Sequence, residues 1–125
     1  AQARRSLSRG ISMSQWVEQQ GLLAGFIAAC NTSDVGLIRK TLRDVVIEPQ
    51  RSAAVPCFGE VREASMRAGA FGCSLSGSGP SIFALCSDGA AHNIAMAMEQ
   101  ACRAQGIGCQ SWVSPMNAHG AQLEN

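Results

Sequence analysis

Apolar residues recur at helical spacing along the first third of the chain. Ser14 has the residue type of an N-cap, and we predict that a first helix begins there. Asp34 is the predicted N-cap of a second, shorter helix that ends near Leu42. This pattern predicts a helical hairpin. The apolar face of its first helix comprises Trp16, Val17, Leu22, Leu23, Phe26, Ile27 and Cys30.

Two further helices and two short strands are predicted in the middle of the chain. Helical spacing of apolar residues places one helix at about residues 56–67 and another at about residues 90–105. Between them, β-prone apolar runs at residues 72–76 and 81–87 are predicted to form strands that a glycine-rich turn connects.

The remaining segments are connectors or short candidate strands. Residues 47–56, with Pro49 and Pro56, are predicted to be an ordered connector. Residues 109–113 and 121–123 are candidate strands near the end. The order of the elements predicts an α+β fold, a ferredoxin-like antiparallel sheet with helices packed on one face.

Composition limits the classes of function. A chain of 125 residues with 46% hydrophobic residues can bury a core, so we expect one domain over residues 1–125. The formal net charge of +1 gives no broad positive field, which argues against nucleic acid as a partner. No apolar run approaches the roughly 20 residues that a membrane helix needs, so we expect no membrane partner.

Cysteine and histidine spacing argues against a metal centre. The six cysteines are scattered without a Cys-x-x-Cys pair, unlike a zinc site or a disulfide framework, and reduced thiols fit a cytoplasmic location. Cys73, Cys86 and Cys102 lie among apolar residues and are predicted to be small core residues. His92 and His119 have no neighbours at metal-ligand spacing, so we predict no metal ligands.

A glycine-rich segment lies between the two predicted strands. Gly77, Ser78 and Gly79 can form a tight exposed loop, and Pro80 fixes the chain direction after it. Successive N–H groups in such a loop can bind an anion. The segment lacks the Gly-Lys-Ser/Thr of a Walker A loop and the GxGxxG of a dinucleotide fingerprint. An ordinary strand–turn–strand that binds no anion therefore remains as good an interpretation as an anion-binding loop.

Three stretches of the sequence carry motifs that occur together in one known protein family. Residues 72–85, GCSLSGSGPSIFAL, resemble the third motif of that family. Residues 44–58, DVVIEPQRSAAVPCF, resemble its Asp, Glu-Pro-x-Arg and Pro-x-Phe stretch. Ala3-Arg4 followed by Leu7 resembles its Ala-Arg and Leu-Pro pair, with Ser8 in place of the proline. Near the end, Asn117 and Gly120 match an Asn and a Gly of the family. The family that these elements resemble is that of the GHMP-type small-molecule kinases, and among them the homoserine kinases.

The resemblance implies the C-terminal domain of an enzyme that uses ATP and Mg²⁺ to phosphorylate L-homoserine in threonine biosynthesis. The family's phosphate-binding loop and its acidic metal-binding and substrate-binding residues lie on an N-terminal domain, and this chain has no match to them. We therefore expect the chain to be inactive alone. We also expect an exposed apolar face that docks against the N-terminal domain and that can support a homodimer.

The resemblance also assigns the site residues. Arg4 and Arg51 would bind the carboxylate of the substrate, as guanidinium groups do in bidentate pairs. No catalytic residue is predicted in this chain. The glycine-rich motif loop, predicted to line the substrate cleft, comprises Ser76, Gly77, Ser78 and Gly79.

Several other polar or aromatic residues are given structural roles. Glu48 is predicted to orient Arg51 or to cap a helix, and neither Glu48 nor Asp44 is assigned to acid–base chemistry. Trp16 and Trp112 are predicted to be core or interface aromatics.

Three alternatives stay open. The chain can be a stand-alone amino-acid-binding module, a dimerisation module, or part of another GHMP kinase. An upstream Gly-Leu-Gly-Ser-Ser loop in the same reading frame would favour the kinase.

Overall fold

A computed structural model describes Leu7 and residues 10–117. Helices and a two-stranded sheet alternate along these residues. In chain order they are α1 (Met13–Thr32), α2 (Val35–Thr41), α3 (Glu48–Ser52), α4 (Phe58–Arg67), β1 (Gly72–Leu75), β2 (Ile82–Leu85), a 3₁₀ turn (Asp88–Ala90) and α5 (Ala91–Ala104).

The first two helices form the predicted hairpin, with one correction at its start. Ser12, and not Ser14, is the N-cap of α1, because Ser12 and Gln15 form a capping box in which each side chain accepts from the other's backbone N–H at 3.1 Å. Ser33 ends α1 with a φ of 54° in the left-handed region. The Asp34 cap is confirmed, since its Oδ1 accepts from the N–H of Leu37 at 2.9 Å.

The apolar face predicted for α1 is largely exposed in the part of the chain that the structure describes. Trp16 is 51% exposed, Val17 63% and Ile27 54%. The helix instead approaches α2 through small residues. Ala29 is fully buried, and a Cβ built on Gly25 would lie 2.7 Å from Thr41 Cγ2. Periodicity alone did not distinguish a buried apolar face from an exposed one.

Arg39 joins α2 to the turn that precedes β1. Its Nη1 donates to the carbonyl of Ala70 at 2.8 Å and its Nη2 to that of Gly69 at 3.3 Å. The guanidinium also lies 5.0 Å from the ring centroid of Phe71. One side chain thereby connects the helical hairpin to the sheet.

We expect Arg39→Ala to lower the free energy of unfolding by about 1–2 kcal/mol, because two backbone carbonyls lose a charged donor and Phe71 loses a cation–π contact. Urea-induced unfolding of this chain measures the change. Lys40→Ala, at the exposed neighbouring position, is the matched control. Equal stabilities of the two variants would contradict this role of Arg39.

The two strands pair antiparallel and carry α4. Their register places Cys73 opposite Ala84 and Ser74 opposite Phe83. Helix α4 packs on the sheet and α5 packs along α4. The buried cluster between them comprises Val55, Cys57, Phe58, Val61 and Cys102, against which Leu75, Ile82 and Met98 also pack.

Two predictions about the connecting segments are wrong. Residues 47–56, predicted to be a connector, contain the short helix α3. Residues 109–113 form no strand, because Cys109 packs against the core and the Ser111 hydroxyl donates to Glu99, so the segment follows α5 and not the sheet. The candidate strand at residues 121–123 lies outside the described residues.

Trp112 is 81% exposed, so it is not a core aromatic, and Trp16 is not one either. Within residues 10–117, none of the helices has both the length and the apolar character that crossing a bilayer requires.

The core role is confirmed for Cys73 and Cys102, which are 3% and 6% exposed, whereas Cys86 is half-buried. Cys102 Sγ lies 3.3 Å from the Sγ of Cys57. Burial, together with the neighbouring thiols of Cys57 and Cys109, raises the pKa of Cys102 to about 12.

Thiol labelling at neutral pH is expected to modify Cys30 first, since it is exposed, and to leave Cys57 and Cys102 unmodified until the chain unfolds. The raised pKa of Cys102 means that its protonated form favours the folded state. This contribution to the free energy of unfolding is fully present below pH 9.0, the ordinary pKa of the thiol, and is lost as the pH rises through about 12, the pKa in the folded chain. Peptide mapping after alkylation measures the order in which Cys30, Cys57 and Cys102 are labelled. Early labelling of Cys102 in the folded chain would contradict the burial described.

Candidate functional site

Helix α3 lies beside the carboxyl end of β1, and the segment before it is fixed by an aspartate. Asp44 Oδ1 accepts from the backbone N–H groups of Val46 and Ile47 at 2.8 and 2.7 Å. Pro49 occupies the first turn of the helix, where the absence of its N–H costs nothing. Asp44 therefore bonds the backbone of the segment that leads into α3.

Glu48 connects α3 to β1. The Ser74 hydroxyl donates to Glu48 Oε2, and both side chains are partly buried. The prediction offered two roles for Glu48, orienting Arg51 or capping a helix. In the structure its carboxylate bonds Ser74, so any effect on Arg51 acts through the placement of the helix.

Arg51 lies three residues further along α3 and contacts the glycine-rich loop. Its Nη1 donates to the carbonyl oxygen of Gly77 at 2.5 Å. Its Nε is enclosed and has no hydrogen-bond acceptor among the described residues. A buried donor without an acceptor is costly. The third nitrogen, Nη2, donates to no described residue, so an incoming anionic oxygen would meet the guanidinium at Nη2.

The loop between β1 and β2 has the tight conformation that its glycines predicted. Gly77 and Gly79 have φ values of 60° and 75°, which other residues rarely adopt. The backbone N–H of Ser76 donates to the Ser81 carbonyl at 2.8 Å, and that of Gly79 donates to the Ser76 carbonyl at 3.1 Å. These bonds close the loop on itself.

The loop is open to solvent on one side and packed on the other. Ser76, Gly77 and Ser78 are exposed, whereas a Cβ built on Gly79 would lie 3.2 Å from Val55 Cγ2. Among the described residues, neither Gly77 nor Ser78 donates its backbone N–H to another group. The exposed side therefore presents main-chain donors together with the Arg51 guanidinium, a set that suits an anion.

Arg51 and the loop residues 76–79, which the sequence assigned separately, are brought into contact. Arg4 lies outside the described residues. Ser74 was missed. A serine within a short apolar strand is a weak signal, and its partner lies 26 residues away, beyond the reach of local pattern reading.

A second feature lies beside this site. A groove of about 240 Å³ separates α1 from the sheet, and its wall includes Leu23 of α1, Ser74 of β1 and Phe83 of β2. Leu23 is 50% exposed and Phe83 41%. The groove thus adjoins the exposed apolar residues of α1.

The described residues include no group of three His, Cys, Asp or Glu side chains that could hold a metal ion. His92 is exposed at the start of α5, and His119 lies outside the described residues.

A model of the C-terminal region of GHMP kinases matches residues 26–104, which include α2 to α5 and the glycine-rich loop. The chain belongs to the GHMP kinase C-terminal family. The matched residues include the glycine-rich loop and Arg51.

Curated relatives and a solved structure agree with this assignment. A homoserine kinase of Chlorobium phaeovibrioides is 43% identical over 97% of this chain and 39% of its own length. A homoserine kinase of Xanthomonas campestris pv. campestris is 37% identical over 97% of this chain and 38% of its own length. The chain therefore spans about two fifths of the length of these relatives.

The crystal structure of homoserine kinase from Cytophaga hutchinsonii has the same fold. It superposes with a TM-score of 0.82 at 44% identity, covering 86% of this chain and 34% of the other. The α+β fold class of a GHMP kinase C-terminal domain is thereby confirmed.

Proposed function

We propose that this chain is the C-terminal domain of a homoserine kinase, an enzyme that transfers the γ-phosphoryl group of ATP to the side-chain hydroxyl of L-homoserine. The observation that carries the proposal is the hydrogen bond between Arg51 and Gly77, which joins the two elements that resemble this enzyme class. The identity of 37–43% to relatives named homoserine kinase supports the same substrate.

Arg51 is the proposed partner of the substrate carboxylate. Nη1 is committed to Gly77 and Nε is enclosed, so Nη2, which donates to no described residue, is the nitrogen that would meet the carboxylate. A carboxylate beside this guanidinium would form charge-assisted hydrogen bonds, which are shorter and stronger than neutral ones. The proposal retains Arg4, outside the described residues, as a second arginine toward the same group.

ATP and Mg²⁺ are assigned to a part of the enzyme beyond this chain. Mg²⁺ prefers carboxylate and phosphate oxygens. The donors gathered at the described site are instead a guanidinium and main-chain N–H groups, which fit an anion and not a cation. No step of the reaction is therefore assigned to Mg²⁺ ligands here. Positioning of the substrate dominates catalysis of phosphoryl transfer, and this domain would supply part of it.

The exposed apolar residues of α1 are the proposed docking face for an N-terminal domain. Met13 is 75% exposed and Val17 63%, and the groove beside Leu23 extends this apolar surface. Contiguous exposed apolar surface of this kind marks contacts with another domain or chain. We also propose that this face can support a homodimer and that the protein is cytoplasmic.

The test is homoserine-dependent formation of ADP by the complete product of the reading frame that encodes this chain. L-homoserine, mevalonate and a hexose are offered as acceptors with ATP and Mg²⁺. Preferential use of L-homoserine supports the proposal. Preference for another alcohol would leave the family assignment intact and contradict the substrate. This chain alone, expected to be inactive, is the control.

A further inference from the structure

Helix α3 is too short to hold its own position. It has five residues and no side-chain hydrogen bond at its N-cap. Isolated helices of this length are unstable in water, because nucleation is unfavourable and few hydrogen bonds follow it. The orientation of Arg51 on this helix therefore depends on the tertiary contacts that α3 makes.

Two side-chain links connect α3 to the same stretch of β1 and its following loop. Ser74 donates to Glu48, and Arg51 donates to Gly77. Glu48 and Arg51 are three residues apart, which places them on one face of the helix. Ser74 and Gly77 are also three residues apart, so the two links run side by side. Each link joins residues that are 26 positions apart in the sequence.

A bound substrate would take up hydrogen-bonding capacity of Arg51 but not of the bond between Ser74 and Glu48. Arg51 must keep Nη2 available for a ligand, whereas Glu48 and Ser74 are partly buried and bond each other. Hydrogen bonds to an ionised carboxylate are the stronger ones. Ser74 also lies within a paired strand, opposite Phe83, so its own position is fixed by the sheet.

We propose that Ser74 is a positioning residue for Arg51. By donating to Glu48, it fixes α3 against β1 and so sets the direction of the guanidinium at the glycine-rich loop. This inference rests on the proposed function, because the group that Arg51 would receive is the carboxylate of L-homoserine. Ser74 itself contacts no substrate in this account.

The expected effect of Ser74→Ala is on substrate binding and not on chemistry. In the complete enzyme we expect the KM for L-homoserine to rise about tenfold, because a small misplacement of a binding group weakens the complex. We expect kcat and the KM for ATP to change less than about threefold. Ser74→Thr keeps the hydroxyl and suits a strand, so it should restore the wild-type KM.

A double-mutant cycle with Arg51→Ala separates positioning from a general structural role. If Ser74 acts through Arg51, then Ser74→Ala has no further effect on the KM for L-homoserine once Arg51 is alanine. Ser87→Ala is the matched control, since Ser87 is exposed and makes no capping bond with its side chain. Thermal melting of each variant verifies that it is folded.

The possible outcomes are distinct. A tenfold rise for Ser74→Ala that Ser74→Thr reverses and that vanishes in the Arg51→Ala background supports the inference. An unchanged KM, or a rise that adds in full to the Arg51→Ala effect, would overturn it while the homoserine kinase stands. A wild-type enzyme without homoserine-dependent activity would overturn the proposed function and this inference together.

Discussion

Replacing Arg51 by alanine is expected to lower kcat/KM for L-homoserine by about 100- to 1,000-fold in the complete enzyme, because the proposed charge-assisted pair with the substrate carboxylate is lost. A factor of this size corresponds to about 3–4 kcal/mol of transition-state stabilisation. The substitution also frees the carbonyl of Gly77, which Arg51 holds at 2.5 Å, so the glycine-rich loop loses one tether. Steady-state kinetics with L-homoserine varied at saturating ATP measure the loss.

Two further variants make this expectation specific. Arg51→Lys keeps the positive charge but removes the planar fork, so it should recover only part of the activity. Arg67→Ala is the matched control, because Arg67 is 68% exposed and its ion pair with Glu63 is a surface contact of small energy. Equal activity of the Arg51 and Arg67 variants would contradict the proposed role of Arg51.

The largest expected effect on stability comes from Ile94. Its side chain is 2% exposed, on the face of α5 that is turned toward the core. We expect Ile94→Ala to lower the free energy of unfolding by about 3 kcal/mol, because removal of three buried carbon atoms loses transfer free energy and leaves a cavity. Urea denaturation of this chain, analysed with a common m-value, measures the change.

The control for Ile94 lies on the same helix. Met96 is 70% exposed, so Met96→Ala should change the free energy of unfolding by less than about 0.5 kcal/mol. Ile94→Val, which removes one methylene, should cost about 1 kcal/mol and so fall between them. A loss for Ile94→Ala no larger than that for Met96→Ala would mean that α5 does not pack as described.

Local sequence signals predicted those elements whose causes are local. Asp34 caps α2, and the Gly77 and Gly79 turn joins two strands, since both features depend on residues within a few positions. The start of α1 was misplaced by two residues because Ser12 and Ser14 are both good caps, and the capping box with Gln15 decides between them.

Burial was harder to predict. The apolar residues of α1 have helical spacing, yet Trp16 and Val17 are exposed because the described residues contain no element that covers them. Periodicity reports which residues share a face, and the identity of the covering surface is a property of the whole fold.

The candidate site was predicted in its parts and not in its connections. Arg51 and the glycine-rich loop were assigned from resemblance, and the structure joins them through the Gly77 carbonyl. The Ser74 link to Glu48 spans 26 residues, so its existence depends on how α3 docks on β1. Pro49 suggested an irregular connector. Proline is also compatible with the first turn of a helix, so the sequence did not reveal that α3 is helical.

The central claim, that Arg51 recognises the carboxylate of an amino-acid alcohol, is tested most directly by comparing two acceptors. L-homoserine and 3-aminopropan-1-ol differ by that carboxylate alone. We predict that the complete wild-type enzyme prefers L-homoserine in kcat/KM. The lost loop tether affects both acceptors and the lost carboxylate contact only one, so Arg51→Ala should lower the value for L-homoserine at least about 100-fold more than that for 3-aminopropan-1-ol. A preference that Arg51→Ala leaves intact would contradict the claim.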